Sequence, residues 1–434
     1  MSIDTRQDQI SRNSGMSPEK FEPEKDPERA ATSTDTDQLQ KPVNVAPDGG
    51  LEAWMVVAGA WCASFCTFGW INSVGTFQEY YESDLLKSYS SSTISWITPI
   101  VGKLYDNYGP RWLLLGGTFL HVFGLMMASI STKYYQLLLS QGICSAIGAS
   151  AMFLPAFNCV AGYFDKKRAA AFGVIATGSS MGGVIFPIMV SRMIREVGFP
   201  WAMRTSAFII LLMLVIANLT IRARLVPKPT PFLLKDFIYP FKEVAFSLSV
   251  FGNLLFGFGV FIPVVYIVVQ AIAEGMDRSL SQYLLAMLNA ASLFGRLSAG
   301  LVADKIGRFN VFIIVSYMTG VLCLALWIPA TGNAAIIVFA VLLGFFSGAY
   351  ASLGPALVAQ ISPIEKIGVR TGLFFAFASI SALTSGPIAG AILAHMNGSF
   401  LGVKIFSGVL CIAGASFVLC ARVYKTGLTF KAKF

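Results

Sequence analysis

Beyond residue 50 the chain is a succession of long apolar runs separated by short polar turns. The runs fall near 53–78, 111–131, 134–162, 169–191, 203–223, 244–273, 281–303, 309–330, 333–360, 368–394 and 402–423, eleven in all. A helix needs about 20 apolar residues to cross the hydrocarbon layer of a bilayer. In lipid every backbone N–H and C=O needs an internal partner, which leaves only helices or closed barrels. No period-2 alternation suggests barrel strands. The pattern predicts an all-α polytopic membrane protein. It excludes a single anchor on a soluble domain, because no polar stretch after residue 50 is long enough to form one.

Charge is distributed unevenly. Residues 1–50 hold 10 acidic and 6 basic side chains, whereas the rest of the chain holds 13 acidic and 26 basic ones. Residues 1–46 are rich in Ser, Thr, Asp, Glu and Pro and have the composition of a disordered cytosolic tail without a signal peptide. With a crossing counted at 88–105, loops on the tail side and the C-terminus carry 18 Lys/Arg and the opposite loops carry seven. The positive-inside rule then places both termini in the cytosol. The expected layout is an N-terminal transmembrane half at 47–225, a cytosolic connector at 226–243, a C-terminal half at 244–425 and a short cytosolic tail at 426–434. The default membrane is the plasma membrane, with the vacuolar membrane as the alternative.

The two halves echo each other. Gly102-x-x-x-Asp106-x-x-Gly109-x-Arg111 recurs as Gly300-x-x-x-Asp304-x-x-Gly307-Arg308, with the aspartates 198 residues apart. Pro155 has a counterpart in Pro355, 200 residues on, and Arg168 in Arg370, 202 residues on. A near-constant offset marks an internal repeat. Duplicated six-helix halves with a site between them near the midplane are a transporter architecture.

The Gly-Asp-Gly-Arg loop resembles the signature of the major facilitator superfamily. Pro47-Asp48-Gly49-Gly50 and Tyr163-Phe164-Asp165-Lys166-Lys167-Arg168 resemble motifs of its monocarboxylate-porter branch, in the wording of the fungal members. The resemblance covers roughly 47–425. It implies the two-half facilitator fold and alternating access. It also implies export of secondary metabolites, or carriage of small organic acids and vitamins. Proton-coupled members of the branch have an arginine in span eight, an aspartate one turn earlier and a lysine in span one. Here those places hold Arg296, Ser292 and Asn72, so two titratable groups are missing and simple proton–lactate symport does not follow.

Arg296 is the most informative residue. It lies deep in an apolar run, where a charge costs at least ~2.5 kcal/mol and normally faces a cavity or a partner. No Asp or Glu lies in any of the eleven runs. Arg296 is therefore a candidate for an anionic substrate, with carbonyls and water as the alternative partners. Asn289, Asn72, Asn158 and Tyr266 are further candidates for substrate contact, although polar groups in spans also serve as interhelical hydrogen bonds. Asp106, Arg111, Asp304 and Arg308 are candidate gating residues. Each aspartate can pair with its arginine across the glycine turn, or face the positive N-terminus of a neighbouring helix.

Other chemistry has little support. No nucleotide-binding loop of the form G-x-x-x-x-G-K-[ST] occurs, and no His/Asp/Glu cluster or nucleophile–base pair suggests an enzyme. The seven cysteines sit in apolar runs without metal or disulfide spacing and read as small buried hydrophobes. No cofactor or nucleic acid is expected. The expected partners are a small-molecule substrate and the bilayer, with a monomer as the unit and proton coupling left open. Export is preferred to carboxylate or vitamin uptake. A non-transporting relative is the alternative of another class. Its support is the second span: the stretch 88–105 is serine-rich in its first half and interrupted by Pro99. Only six positions separate Trp96 from Gly102, as though a segment were deleted relative to the family.

Overall fold

The computed structural model describes residues 46–72, 98–224, 229, 231, 233–429 and 432–433. Among them there is no strand. The helices are α1 (Leu51–Cys66, continued by Phe68–Ile71), α2 (Thr98–Tyr108), α3 (Arg111–Ala128) and α4 (Ala146–Tyr163, entered through a π-helical Leu138–Ser145). They continue as α5 (Arg168–Val197), α6 (Phe199–Thr220), α7 (Val244–Ala273) and α8 (Leu284–Ile306). The last four are α9 (Arg308–Val321, extended by a π-helical Leu322–Trp327), α10 (Asn333–Gln360), α11 (Ile367–His395) and α12 (Leu401–Thr426). Eleven helices among the described residues are long and apolar enough to cross a membrane, and each matches one apolar run of the sequence. The protein is an all-α, multi-pass membrane protein of two six-helix halves.

The exception is α2. Its described part, 11 residues, spans about 16 Å at 1.5 Å per residue. Residues 88–97, the polar first half of the expected second span, lie outside the described residues, as does the tail at 1–45.

The halves meet along two equivalent seams, α5 against α8 and α2 against α11. Glycines permit this closeness. A Cβ on Gly102 would stand 2.2 Å from the Gly368 carbonyl oxygen, and one on Gly300 would stand 2.5 Å from that of Ala169. The connector joins the same face. Phe237 and Phe241 pack against Phe246, Val250 and Val369, while Asp236 takes the buried Lys103 of α2 at 2.6 Å. Arg370 at the start of α11 donates to Glu243 at 2.9 Å.

Buried polar groups elsewhere serve packing. His121 of α3 sits 2.8 Å from the Ser145 hydroxyl and 3.1 Å from the Cys66 carbonyl, linking three helices of the first half. All seven cysteines are free, and five are buried.

Candidate functional site

The α5–α8 seam carries a polar cluster inside the bundle. Arg296 of α8 donates through Nη1 to the Ala176 carbonyl at 2.7 Å and through Nε to the Ser292 hydroxyl at 3.0 Å. Nη1 also reaches the Ser179 hydroxyl of α5. Ser180 donates to Ser292 at 3.2 Å, closing the link between the halves. Every partner is neutral, and among the described residues no carboxylate pairs with Arg296 and no protein group takes its Nη2. A full positive charge with two N–H groups to spare therefore stands at the seam.

Two amides extend the cluster. Asn289 donates to the Leu285 carbonyl at 3.0 Å, and Asn72 donates to the Ser179 carbonyl at 3.4 Å. They face one another over Gly183. A Cβ there would fall 2.7 Å from Asn72 Nδ2 and 2.9 Å from Asn289 Oδ1. Arg296, Asn289 and Asn72 thus come together. Asn158 and Tyr266 share no hydrogen-bond partner with them. Asn158 is buried in α4, and its Nδ2 lacks a partner among the described residues. Tyr266 donates to the Gly386 carbonyl at 3.0 Å. Ser179 and Ser180 are not candidates at the sequence level, because serine is common in apolar helices and carries no signal of its own.

The four gating candidates lie at the basic end of the bundle. Asp304 accepts from the amides of Ala169 and Ala170 at 3.1 and 2.8 Å, at the second and third residues of α5. Asp106 accepts from the amides of Gly368 and Val369, both at 2.9 Å, at the second and third residues of α11. Each aspartate thus caps a helix of the opposite half. It satisfies orphan N–H groups and meets the positive end of the helix dipole. Arg308 supports Asp304 from 3.4 Å and also donates to the Asp165 carbonyl. Arg111 makes no such contact. Its side chain is exposed, and no ion pair joins it to Asp106, whose two oxygens are taken by the α11 amides.

The two aspartates differ in support, since Arg308 pairs with Asp304 and no ion pair joins Arg111 to Asp106. Burial pushes the Asp106 carboxyl up to about 7, against the opposing pull of the Val369 and Gly368 amides and of Lys103. In an open state that solvated the group, its value would be roughly 4. Protonation is then expected to favour the closed end, a gain lost as pH rises through about 7. The closed-to-open ratio is expected to grow by up to about tenfold per pH unit between about 7 and 4. Distances between spin labels on the turns at 164–167 and 362–366 would record this, and Asp106→Asn is expected to abolish the pH dependence.

The two branch-like motifs dock on each other beside the Asp304 latch. Asp48, held at φ 52, accepts from the amides of Asp165 and Lys167 at 2.7 and 3.3 Å. Its own amide donates to the Tyr163 carbonyl at 3.0 Å, and Tyr163 donates to Glu52 at 2.8 Å. These bonds brace the turn that feeds α5, whose first amides hold Asp304.

Comparison with known proteins agrees with this architecture. The profile of the Major Facilitator Superfamily matches residues 88–332 and 249–429. The chain is 56% identical to the MFS transporter asaE of Aspergillus flavus, across 98% of this chain and 99% of that one. It is 50% identical to the fujikurins efflux protein of Gibberella fujikuroi, across 92% and 89%. It is 40% identical to the aspyridones efflux protein apdF of Emericella nidulans, across 87% and 79%. The fold is similar to the crystal structure of the MFS transporter FucP in the outward conformation. That match has a TM-score of 0.69 at 14% identity, over 86% of this chain and 98% of the other.

Proposed function

The chain belongs to the Major Facilitator Superfamily and is a transporter, and from that premise we propose that it exports a small acidic secondary metabolite by alternating access. The carrying observation is Arg296, a half-buried cation between the halves with only neutral partners and an unengaged Nη2. An anionic cargo supplies the missing negative charge, and Asn289 and Asn72 offer it neutral hydrogen bonds. The relatives named for efflux of fujikurins and aspyridones support the direction. The basic end, with its Asp106 and Asp304 latches, is the cytosolic end, and both termini lie there. The plasma membrane is the site of action, the monomer is the working unit, and a gradient supplies the drive.

Uptake of a carboxylate or vitamin would use the same arginine with the opposite net direction. An inactive relative would need a truncated second span to disable the gate, yet the Asp106 and Lys103 contacts of α2 are in place. Metabolite partition in a deletion strain tests direction and cargo together. Retention of an acidic product inside the mutant is the expected result. A nutrient left unconsumed in the medium would replace export by uptake.

A further inference from the structure

The cluster around Arg296 leaves three polar atoms unused. Arg296 Nη2 gives its hydrogens to no protein group, and the Oδ1 atoms of Asn289 and Asn72 accept from none among the described residues. None of the three is sealed in the interior, in contrast to the unpartnered Nδ2 of Asn158. They face a space that another molecule can enter.

The other bonds of the amides fix which atom is which. Asn289 Nδ2 donates to the Leu285 carbonyl at 3.0 Å, and Asn72 Nδ2 donates to the Ser179 carbonyl at 3.4 Å. A carbonyl only accepts, so the atom facing it is the NH2 and the free atom of each amide is the oxygen. Gly183 keeps the two amides together, since a Cβ there would stand 2.7 Å from Asn72 Nδ2 and 2.9 Å from Asn289 Oδ1.

The charge is close to both. Arg296 Nε donates to Ser292, one turn back along α8 towards Asn289. The guanidinium is therefore level with Ser292, three residues or about 4.5 Å along the axis from Asn289. Ser179 ties in Asn72, because its hydroxyl takes Arg296 and its carbonyl takes Asn72.

One cation beside two free acceptors has a definite polarity. A carboxylate satisfies Arg296 but has no hydrogen for either Oδ1. A cargo with acceptors alone, such as a keto acid or an ester acid, would cover both amide oxygens without pairing them, and a shielded unpaired acceptor is costly. We propose that the site selects acids that also carry an N–H or O–H donor about one helix turn, ~5 Å, from the negative group, and that Asn289 and Asn72 read that donor. The proposal rests on Arg296 as the anchor of the cargo's charge.

Indole-3-propanoate and its N-methyl derivative test this at neutral pH, where both are anions that differ in the donor. Radiolabelled indole-3-propanoate is bound to the purified protein in detergent, and each acid serves as competitor. The N–H acid is expected to bind about tenfold more tightly than the N-methyl acid. The 2-methyl isomer adds the same bulk but keeps the N–H, and is expected to bind like the parent. In Asn289→Leu/Asn72→Leu the preference is expected to disappear. Equal affinities in the wild-type protein, no binding of the N–H acid, or a 2-methyl isomer as weak as the N-methyl one would overturn the donor requirement, and none of these outcomes needs a variant to fold. A preference that survives the double variant would overturn the assignment to the two amides. Arg296→Gln tests the premise alone. It is expected to weaken both acids about tenfold or more, and undiminished binding would remove Arg296 as the anchor whatever the donor preference.

Discussion

Arg296→Gln is expected to reach the membrane at the wild-type level and to move an acidic cargo at least about tenfold more slowly, since charge-assisted hydrogen bonds contribute ~1.5–3 kcal/mol. Glutamine can still donate to the Ala176 carbonyl or to Ser292, so the α5–α8 seam keeps part of its link. What it removes is the charge. Arg296→Lys separates the two roles further. Lysine keeps the cation but cannot direct Nε to Ser292 and Nη1 to Ala176 from one rigid plane. If the charge holds the cargo, lysine restores a substantial part of the flux. If the planar fork is a helix fastener, lysine and glutamine fail alike and both lose membrane-inserted protein. Flux normalised to surface protein reads the difference. Unchanged flux in Arg296→Gln would remove the anionic-cargo reading.

The spans are legible in the sequence because lipid imposes a length. About 20 apolar residues leave no choice of element, and the eleven runs coincide with the eleven long helices. Arg296 is legible for the same reason, since a lone charge in such a run demands a partner. Its actual partners are less so. A backbone carbonyl at Ala176 and hydroxyls at Ser179 and Ser292 look like ordinary interior residues until α5 and α8 are brought together. Asn72 and Asn158 illustrate the same limit. Each is an amide in an apolar run, yet one joins the Arg296 cluster through the Ser179 carbonyl and the other does not.

The aspartates show where a repeat helps and where it stops. The 198-residue offset marks Asp106 and Asp304 as equivalent, and a helix N-terminus is a natural partner for each. It does not say which helix. The answer lies 262 residues away from Asp106, in the bare amides of Gly368 and Val369, which carry no side-chain signature. Arg111 shows that nearness in sequence need not give contact. Five residues from Asp106 in sequence, its side chain is exposed, and the Asp106 oxygens meet the α11 amides instead.

Gly102→Ala is expected to hold the basic end open and to slow transport strongly, although alanine is the better helix former by ~1 kcal/mol. The new methyl would lie 2.2 Å from the Gly368 carbonyl oxygen, 2.6 Å from its carbon and 3.1 Å from the Val369 nitrogen. All three are backbone atoms, so no side chain can rotate away. Contact relaxes only if α2 and α11 separate by about 1 Å, and the 2.9 Å bonds from Gly368 and Val369 to Asp106 then exceed hydrogen-bonding distance. Overpacking of this kind costs ~1–3 kcal/mol, roughly a 5- to 150-fold shift from closed to open. The sign separates this cause from a simple loss of stability. A folding defect would lower the amount of protein, whereas a blocked latch leaves the amount intact and lengthens the distance between the 164–167 and 362–366 turns. Gly300→Ala repeats the test at the other seam, where the obstruction is the Ala169 carbonyl at 2.5 Å. If either variant keeps the closed distance and the full transport rate, close approach at that glycine is not what lets the end shut. The aspartate above it would then be a helix cap without a gating role.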